Sequence, residues 1–266
     1  MKKKYFQKLS VEEKHIIKDK GTEPPFSGEY NDFFAAGIFI CRACQSPLYE
    51  SASKFDSGCG WPSFDDEIEG AIIRYEDLSG GRVRVEICCA NCDGHLGHVF
   101  HGEQITKKNT RHCVNSLSIQ FKSYKNLTKA VFGSACFWSL QKTFNSINGI
   151  YLSSVGYMSK KTNLNKESDA FQTKKDAQKV VELYFDPKIV SYQKLLYVFM
   201  AHQDYIGVDK QSNELIIFYD SEEQKKNAEK LIFKKDNGGI SILLSPISNF
   251  YRAEEYHQNY FEKNVF

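Results

Sequence analysis

Two CxxC hooks stand in the first half of the sequence, Cys41–Arg42–Ala43–Cys44 and Cys89–Ala90–Asn91–Cys92. Two residues between cysteines let one tight turn present both sulfurs to a single ion, and two hooks supply the four soft ligands of a tetrahedral zinc site. Four thiolates close the coordination sphere, so the expected zinc is structural and the chemistry must come from other side chains. Cys88 competes with Cys89 for the ligand role; the spacing to Cys92 favours Cys89 and leaves Cys88 as a buried strand thiol. Three further cysteines remain: Cys59 in FDSGCGWPSF, Cys113 in TRHCVNS and Cys136 in VFGSACFW. An attacking sulfur must be a thiolate, and an unperturbed thiol with a pKa of about 8.5 is only slightly ionised at neutral pH. Arg111 and His112 beside Cys113 would raise that fraction, and His95, His98 and His101 in HLGHVFH are candidate proton donors. Each histidine also fits a purely structural role, and Cys113 taken alone also fits an ordinary strand cysteine.

The elements that must position these residues change character along the chain. Ser10 with Glu13 three residues on forms a capping box, and the helix it opens should stop at Gly21, before Pro24 and Pro25. Short strand-like segments follow, among them AGIFIC, AIIRYED, RVRVEIC, HVFHGE and NSLSIQF, several with the alternation of a half-buried strand. This half reads as an antiparallel β domain. The text FKSYKNLTK (121–129) is polar and aperiodic, and residues 123–128 are read as a linker between a domain over 1–122 and another over 129–266. Beyond it, KAVF is a strand, and Phe137, Leu140, Phe144 and Ile147 mark one face of a helix ending near Asn148–Gly149. VVELYFDP and ELIIFY are strands; Ser191 opens one helix, and Ser221 with Gln224 caps another running to Asn237–Gly238. Strands alternating with helices make this second half an α/β domain and the whole chain α+β.

With 266 residues the chain has room for two domains of ordinary size. Its 35 basic and 33 acidic residues nearly cancel, which gives no electrostatic reason to expect nucleic acid. The basic start MKKKYFQKLS has no apolar segment behind it, and no apolar run is long enough to span a membrane. Cysteines gathered in CxxC pairs rather than spread as a disulfide framework favour a reducing compartment, so a cytoplasmic location is expected.

The motifs KGTEPPFSGEY, CRAC, KFDSGCGWPSF, CANCDGHLGHVF and NTRHCVNSLSIQF, in this order over residues 5–122, closely resemble the type B methionine sulfoxide reductases. The resemblance implies thiol-dependent reduction of methionine-R-sulfoxide, with Cys113 as the nucleophile and Cys59 as the resolving cysteine. Thioredoxin would then reopen their disulfide. It places Trp61 against the substrate methyl group and His98, Arg111 and Asn115 around the sulfoxide; His95 belongs to the same motif. Where the family often carries an aspartate after GHVF, this chain reads HGE, with Glu103 close by.

The second half resembles the type A methionine sulfoxide reductases, which act on the opposite epimer, through VFGSACFW, VGY at 155–157, YFDPKIVSYQKLL and FYRAEEYHQNYF. That resemblance implies Cys136 as nucleophile at a helix start, Phe137 and Trp138 as the methyl pocket, and Tyr157 on the sulfoxide oxygen. The chain departs from the family pattern at several points. Lys179 stands at the usual glutamate, QSNE (211–214) replaces QGND, and the tyrosine-bearing GTQYRS is missing. Ala135 replaces a glycine, and no cysteine follows Cys136. Two expectations stay open for this domain: reduction of the S epimer, or a structural or docking unit of little activity. The substrate in either case is oxidised protein or free methionine sulfoxide.

Overall fold

A computed structural model describes residues 2–159, 177–206, 215–234 and 242–264. The chain divides into two compact units, Met1–Asn126 and Leu127–Phe266.

In the first unit Ser10 caps helix α1 (Val11–Ile17) in the expected box: the Glu13 amide donates to the Ser10 hydroxyl, and the Ser10 amide to the Glu13 carboxylate. Strands β1 (Gly37–Cys41), β2 (Pro47–Glu50), β3 (Lys54–Phe55), β4 (Ser63–Phe64), β5 (Ile72–Asp77), β6 (Arg84–Cys89), β7 (His95–His101), β8 (Thr110–Val114) and β9 (Ile119–Ser123) form two antiparallel sheets. Their orders are β2-β1-β9 and β3-β4-β8-β7-β6-β5. The segment expected as one strand, NSLSIQF, begins instead with a 3-10 turn over Ser116–Ser118, and only its second half pairs with β1. Phe39, Tyr49, Phe64, Ile87 and Val114 lie fully buried between the elements, Tyr49 stacked on Phe64 at 4.2 Å. A buried side chain of this size contributes about 1.5–3 kcal/mol.

The second unit holds β10 (Thr128–Gly133), α2 (Phe137–Asn145), β11 (Ile150–Ser159), β12 (Ala177–Phe185), α3 (Tyr192–Ile206), β13 (Leu215–Tyr219), α4 (Glu222–Lys234), β14 (Ile242–Pro246), β15 (Phe250–Arg252) and the short α5 (Tyr260–Lys263). Its sheet runs β14-β13-β10-β12-β11-β15, antiparallel except for the β13–β14 pair that α4 bridges. Both polar caps appear: the Lys194 amide donates to Ser191, and the Gln224 amide to Ser221. Phe132, Phe144, Leu183, Leu195 and Phe199 pack on one face of the sheet, and Met158, Val180 and Phe218 on the other. Two expected features, the Asn237–Gly238 stop and the QSNE segment with Glu214, lie outside the described residues. The residues read as a linker, 123–128, run from the last residue of β9 through a 3-10 turn at Tyr124–Asn126 into β10.

Candidate active site

The two hooks are built alike. Cys41 ends β1 and Cys89 ends β6; the carbonyl of each accepts the amide four residues on, Gln45 and Asp93, at 2.8 Å in both. Gln45 and Asp93 both take left-handed backbone, which curls each hook around its sulfurs. Cys41 Sγ lies 3.6 Å from Cys92 Sγ, and Cys44 Sγ 3.6 Å from Cys89 Sγ, in a cluster buried except for the partly exposed Cys44. Zinc–sulfur bonds of about 2.3 Å place tetrahedral sulfurs about 3.8 Å apart, so the cluster has the dimensions zinc requires. Strand pleating separates the competing thiols: Cys89 joins the cluster, whereas Cys88 turns to the opposite face of β6 and donates to Glu86 at 3.4 Å.

Cys113 lies on β8 directly across from Ser63 of β4 and His98 of β7, and His98 lies directly across from Glu86 of β6. Directly opposed residues share a face, so Glu86, His98, Cys113 and Ser63 form one row across four strands. Arg111, two residues from Cys113, is in the next row on that face, its guanidinium 4.5 Å from the Phe100 ring. The pleat puts His112 and His101 on the reverse face. There His112 bonds the Tyr49 hydroxyl at 3.1 Å, and His101 bonds Thr110.

Cys59 reaches this row from the turn between β3 and β4, where Gly58 and Gly60 both have positive φ. Its Sγ stands 3.8 Å from Cys113 Sγ. A hydrogen bond from Cys113 and the hydroxyls of Ser57 (3.0 Å) and Ser63 (3.5 Å) push Cys59 down to about 4, while Cys113, facing that charge and buried, is raised against the pull of Arg111. Gly97 on β7 is obligatory here: a Cβ would fall 1.9 Å from the Cys113 carbonyl oxygen, and its φ of +154° disfavours other residues.

Trp61 follows in the same turn, its indole N–H donating to the Glu23 carbonyl at 3.0 Å. Glu23 escaped notice in the sequence because its partners are about ninety residues away. Its carboxylate accepts the Ser116 and Leu117 amides, and its amide donates to Asn115 Oδ1 at 3.0 Å. Asn115, expected at the sulfoxide, is buried with its Nδ2 donating to the Leu96 carbonyl, so both ends of its amide are spent on backbone. A bulge between Ile87 and Cys88 brings His95 onto the same face as His98, rings 5.7 Å apart. His95 is buried against Glu86 at 2.7 Å, and Lys20 closes the group from outside at 2.7 Å. Glu103 pairs with Arg111 through two hydrogen bonds of 2.7 and 2.8 Å.

In the second unit Cys136 is the N-cap residue of α2. Phe137 is buried, 6.0 Å from the Tyr157 ring; Trp138 stacks on Tyr260 at 4.1 Å and donates to His257 Nδ1 at 3.2 Å. Phe137, Trp138 and Tyr157 thus belong to one aromatic group beside the start of α2, joined by His257 from the motif FYRAEEYHQNYF. Lys179 enters the same neighbourhood, directly across from Tyr157 in the β11–β12 pair.

Comparison with known proteins adds two family matches, a SelR domain over residues 9–123 and a peptide methionine sulfoxide reductase domain over residues 128–266. Peptide methionine sulfoxide reductase B5 of Arabidopsis thaliana is 55% identical over 119 residues, 44% of this chain and 84% of the relative. A peptide methionine sulfoxide reductase MsrB of Teredinibacter turnerae is 54% identical over 121 residues, 45% of this chain and 88% of the relative. Among solved structures, Mxr1 of Saccharomyces cerevisiae in an oxidised form is 25% identical, with a TM-score of 0.40 over 53% of this chain and 84% of that one. No helix among the described residues is long and apolar enough to cross a membrane.

Proposed function

From the premise that the chain belongs to the methionine sulfoxide reductases, a SelR domain fused to a peptide methionine sulfoxide reductase domain, we propose that the first domain reduces methionine-R-sulfoxide with Cys113 and Cys59. The observation that carries this reading is the 3.8 Å approach of two free thiols in a row that also holds His98.

The Cys113 thiolate attacks the sulfoxide sulfur once its proton passes to Cys59. His98 delivers a proton to the sulfoxide oxygen as methionine leaves, and Cys113 becomes a sulfenic acid. The Trp61 face, held by its N–H, packs on the methyl group, and Arg111 offsets negative charge at the reacting sulfur. Asn115 and His95 act from behind, fixing the strands that carry Cys113 and His98. Cys59, now carrying the proton taken from Cys113, attacks the Cys113 sulfur as that proton passes to the departing hydroxyl; water leaves and a disulfide forms. An external dithiol, thioredoxin, reduces that disulfide and returns both thiols. One sulfoxide and two thiol hydrogens thus yield methionine, one disulfide and one water. Zinc held by Cys41, Cys44, Cys89 and Cys92 supplies no step; it ties the ends of β1 and β6 together.

The decisive assay presents R- and S-methionine sulfoxide separately to the intact chain and to Cys113→Ser, with dithiothreitol as reductant. R reduction is lost in the variant; retained R reduction overturns the proposal. For the second domain we propose reduction of the S epimer at Cys136, with sulfenic acid resolved by an outside thiol. A specific observation favours the competing reading of a weakly active unit: Lys179 occupies the position next to Tyr157 where an acid is needed. S turnover by the intact chain that disappears in Cys136→Ser decides for activity, and its absence from the intact chain decides against.

A further inference from the structure

We propose that Asp77 is a positioning residue for His98, gripping the imidazole at Nε2 so that Nδ1 is the nitrogen offered to the sulfoxide. The inference rests on the reading of His98 as the proton donor.

Asp77 closes β5 and lies two strands from His98, beyond β6. It nevertheless reaches the ring, with Oδ2 2.7 Å from His98 Nε2. The carboxylate is itself held at two points. The Ser79 amide donates to Oδ1 at 2.9 Å, Arg84 Nη2 donates to Oδ2 at 2.8 Å, and Arg84 is the residue directly across from Asp77 in the β5–β6 pair. Hydrogen bonds from Ser79, then from His98, and the Arg84 charge hold Asp77 well below the usual carboxylate range. An ionised carboxylate can only accept. Nε2 must therefore donate, and the proton that moves in the reaction belongs to Nδ1. A carboxylate behind an imidazole fixes its orientation and stabilises the imidazolium, the form in which Nδ1 carries the proton that is given up in the transfer.

Other charged groups face His98, and each is committed elsewhere. Glu86, across from it on β6, bonds His95 and Lys20; His95 on its own strand takes the other side of that carboxylate. Arg111 on β8 is tied to Glu103. Cys113, across on β8, faces Cys59. Glu103, the acidic residue of the loop after β7, is thereby unavailable to His98, and the carboxylate comes from β5 instead. Asp77 touches no reacting atom; its effect must pass through the ring.

The test uses the full chain with methionine-R-sulfoxide and dithiothreitol. Asp77→Asn should lower kcat about tenfold and leave KM within about twofold, because a misoriented donor weakens the transition state rather than ground-state binding. Asp77→Glu should restore much of kcat, and Asp77→Asn combined with His98→Gln should be no slower than His98→Gln alone. Ring 15N spectra of the unaltered protein should show His98 protonated at Nε2; a neutral Nδ1–H tautomer overturns the proposal without any variant. Full kcat in Asp77→Asn beside an impaired His98→Gln also overturns it. Full kcat in His98→Gln instead removes His98 as the donor, and the inference with it.

Discussion

Lys179 lies directly across from Tyr157 in the β11–β12 pair, with its ammonium 5.6 Å from the centre of the Phe137 ring. A cation therefore stands beside the tyrosine and aromatic surface that follow Cys136, where the family pattern places a carboxylic acid. An ammonium attracts a sulfoxide oxygen but is a weaker acid than the carboxylic acid it replaces, so it serves less well as a proton donor.

Lys179→Glu is accordingly expected to raise S-sulfoxide turnover at least about tenfold with dithiothreitol. Lys179 is exposed, so the substitution should leave the fold intact. Unchanged or lower turnover would show that the missing acid does not limit this domain.

Cys59→Ser should separate the two reductants. Dithiothreitol is small enough to reduce a Cys113 sulfenic acid directly, whereas thioredoxin acts by exchange on a disulfide. R reduction should persist within about threefold with dithiothreitol and fall at least about a hundredfold with thioredoxin. Equal loss with both reductants would mean that Cys59 is needed for the attack itself.

How much of this was legible in the sequence depends on the distance over which each contact forms. The Ser10–Glu13 box and the CxxC turns are local, so residue type and spacing sufficed. The choice of Cys89 over Cys88 followed from spacing, and the pleat gives its physical reason. The grouping of His95 with His98 was hidden, because three-residue spacing in a regular strand sends side chains to opposite faces and only a bulge brings them together. Asp77 and Glu23 were silent for another reason: their partners are 21 and about 92 residues away, so neither role showed in the residue's own segment, although Glu23 stands inside KGTEPPFSGEY. Asn115 was marked by its motif, but its burial and its hydrogen bonds to the Glu23 amide and the Leu96 carbonyl were not visible there.

The reverse face of β8 makes stability pH-dependent. Burial, then the Arg74 guanidinium, pushes the His112 imidazole down to about 4; Glu67, 3.1 Å away, cannot counter this because it is already paired with Arg74 through two hydrogen bonds. The unfolded chain takes up this proton near pH 6.5 and the folded chain does not, so the contribution is complete above pH 6.5. It is lost as pH falls toward 4, a difference of about 3 kcal/mol. Urea unfolding followed by Trp61 fluorescence in a Trp138→Phe background should show it. His112→Gln should flatten the slope between pH 4 and 6.5, and an unchanged slope would assign it to other groups.

The adjacent thiols Cys88 and Cys89 give the sharpest test of the metal centre, since they differ in strand face and hardly at all in sequence position. Cys89→Ser removes one of four ligands from a buried cluster whose remaining sulfurs cannot complete a tetrahedron. Purified protein should then hold well under half of the parent's zinc, with a lowered melting temperature for the first unit, because structural zinc binding is folding free energy. Cys88→Ser keeps all four ligands and places a hydroxyl near Glu86 Oε1. It should retain one zinc per chain and most of its R-sulfoxide turnover. Zinc lost from Cys88→Ser but kept by Cys89→Ser would reverse the assignment and move the ligand to the other face of β6.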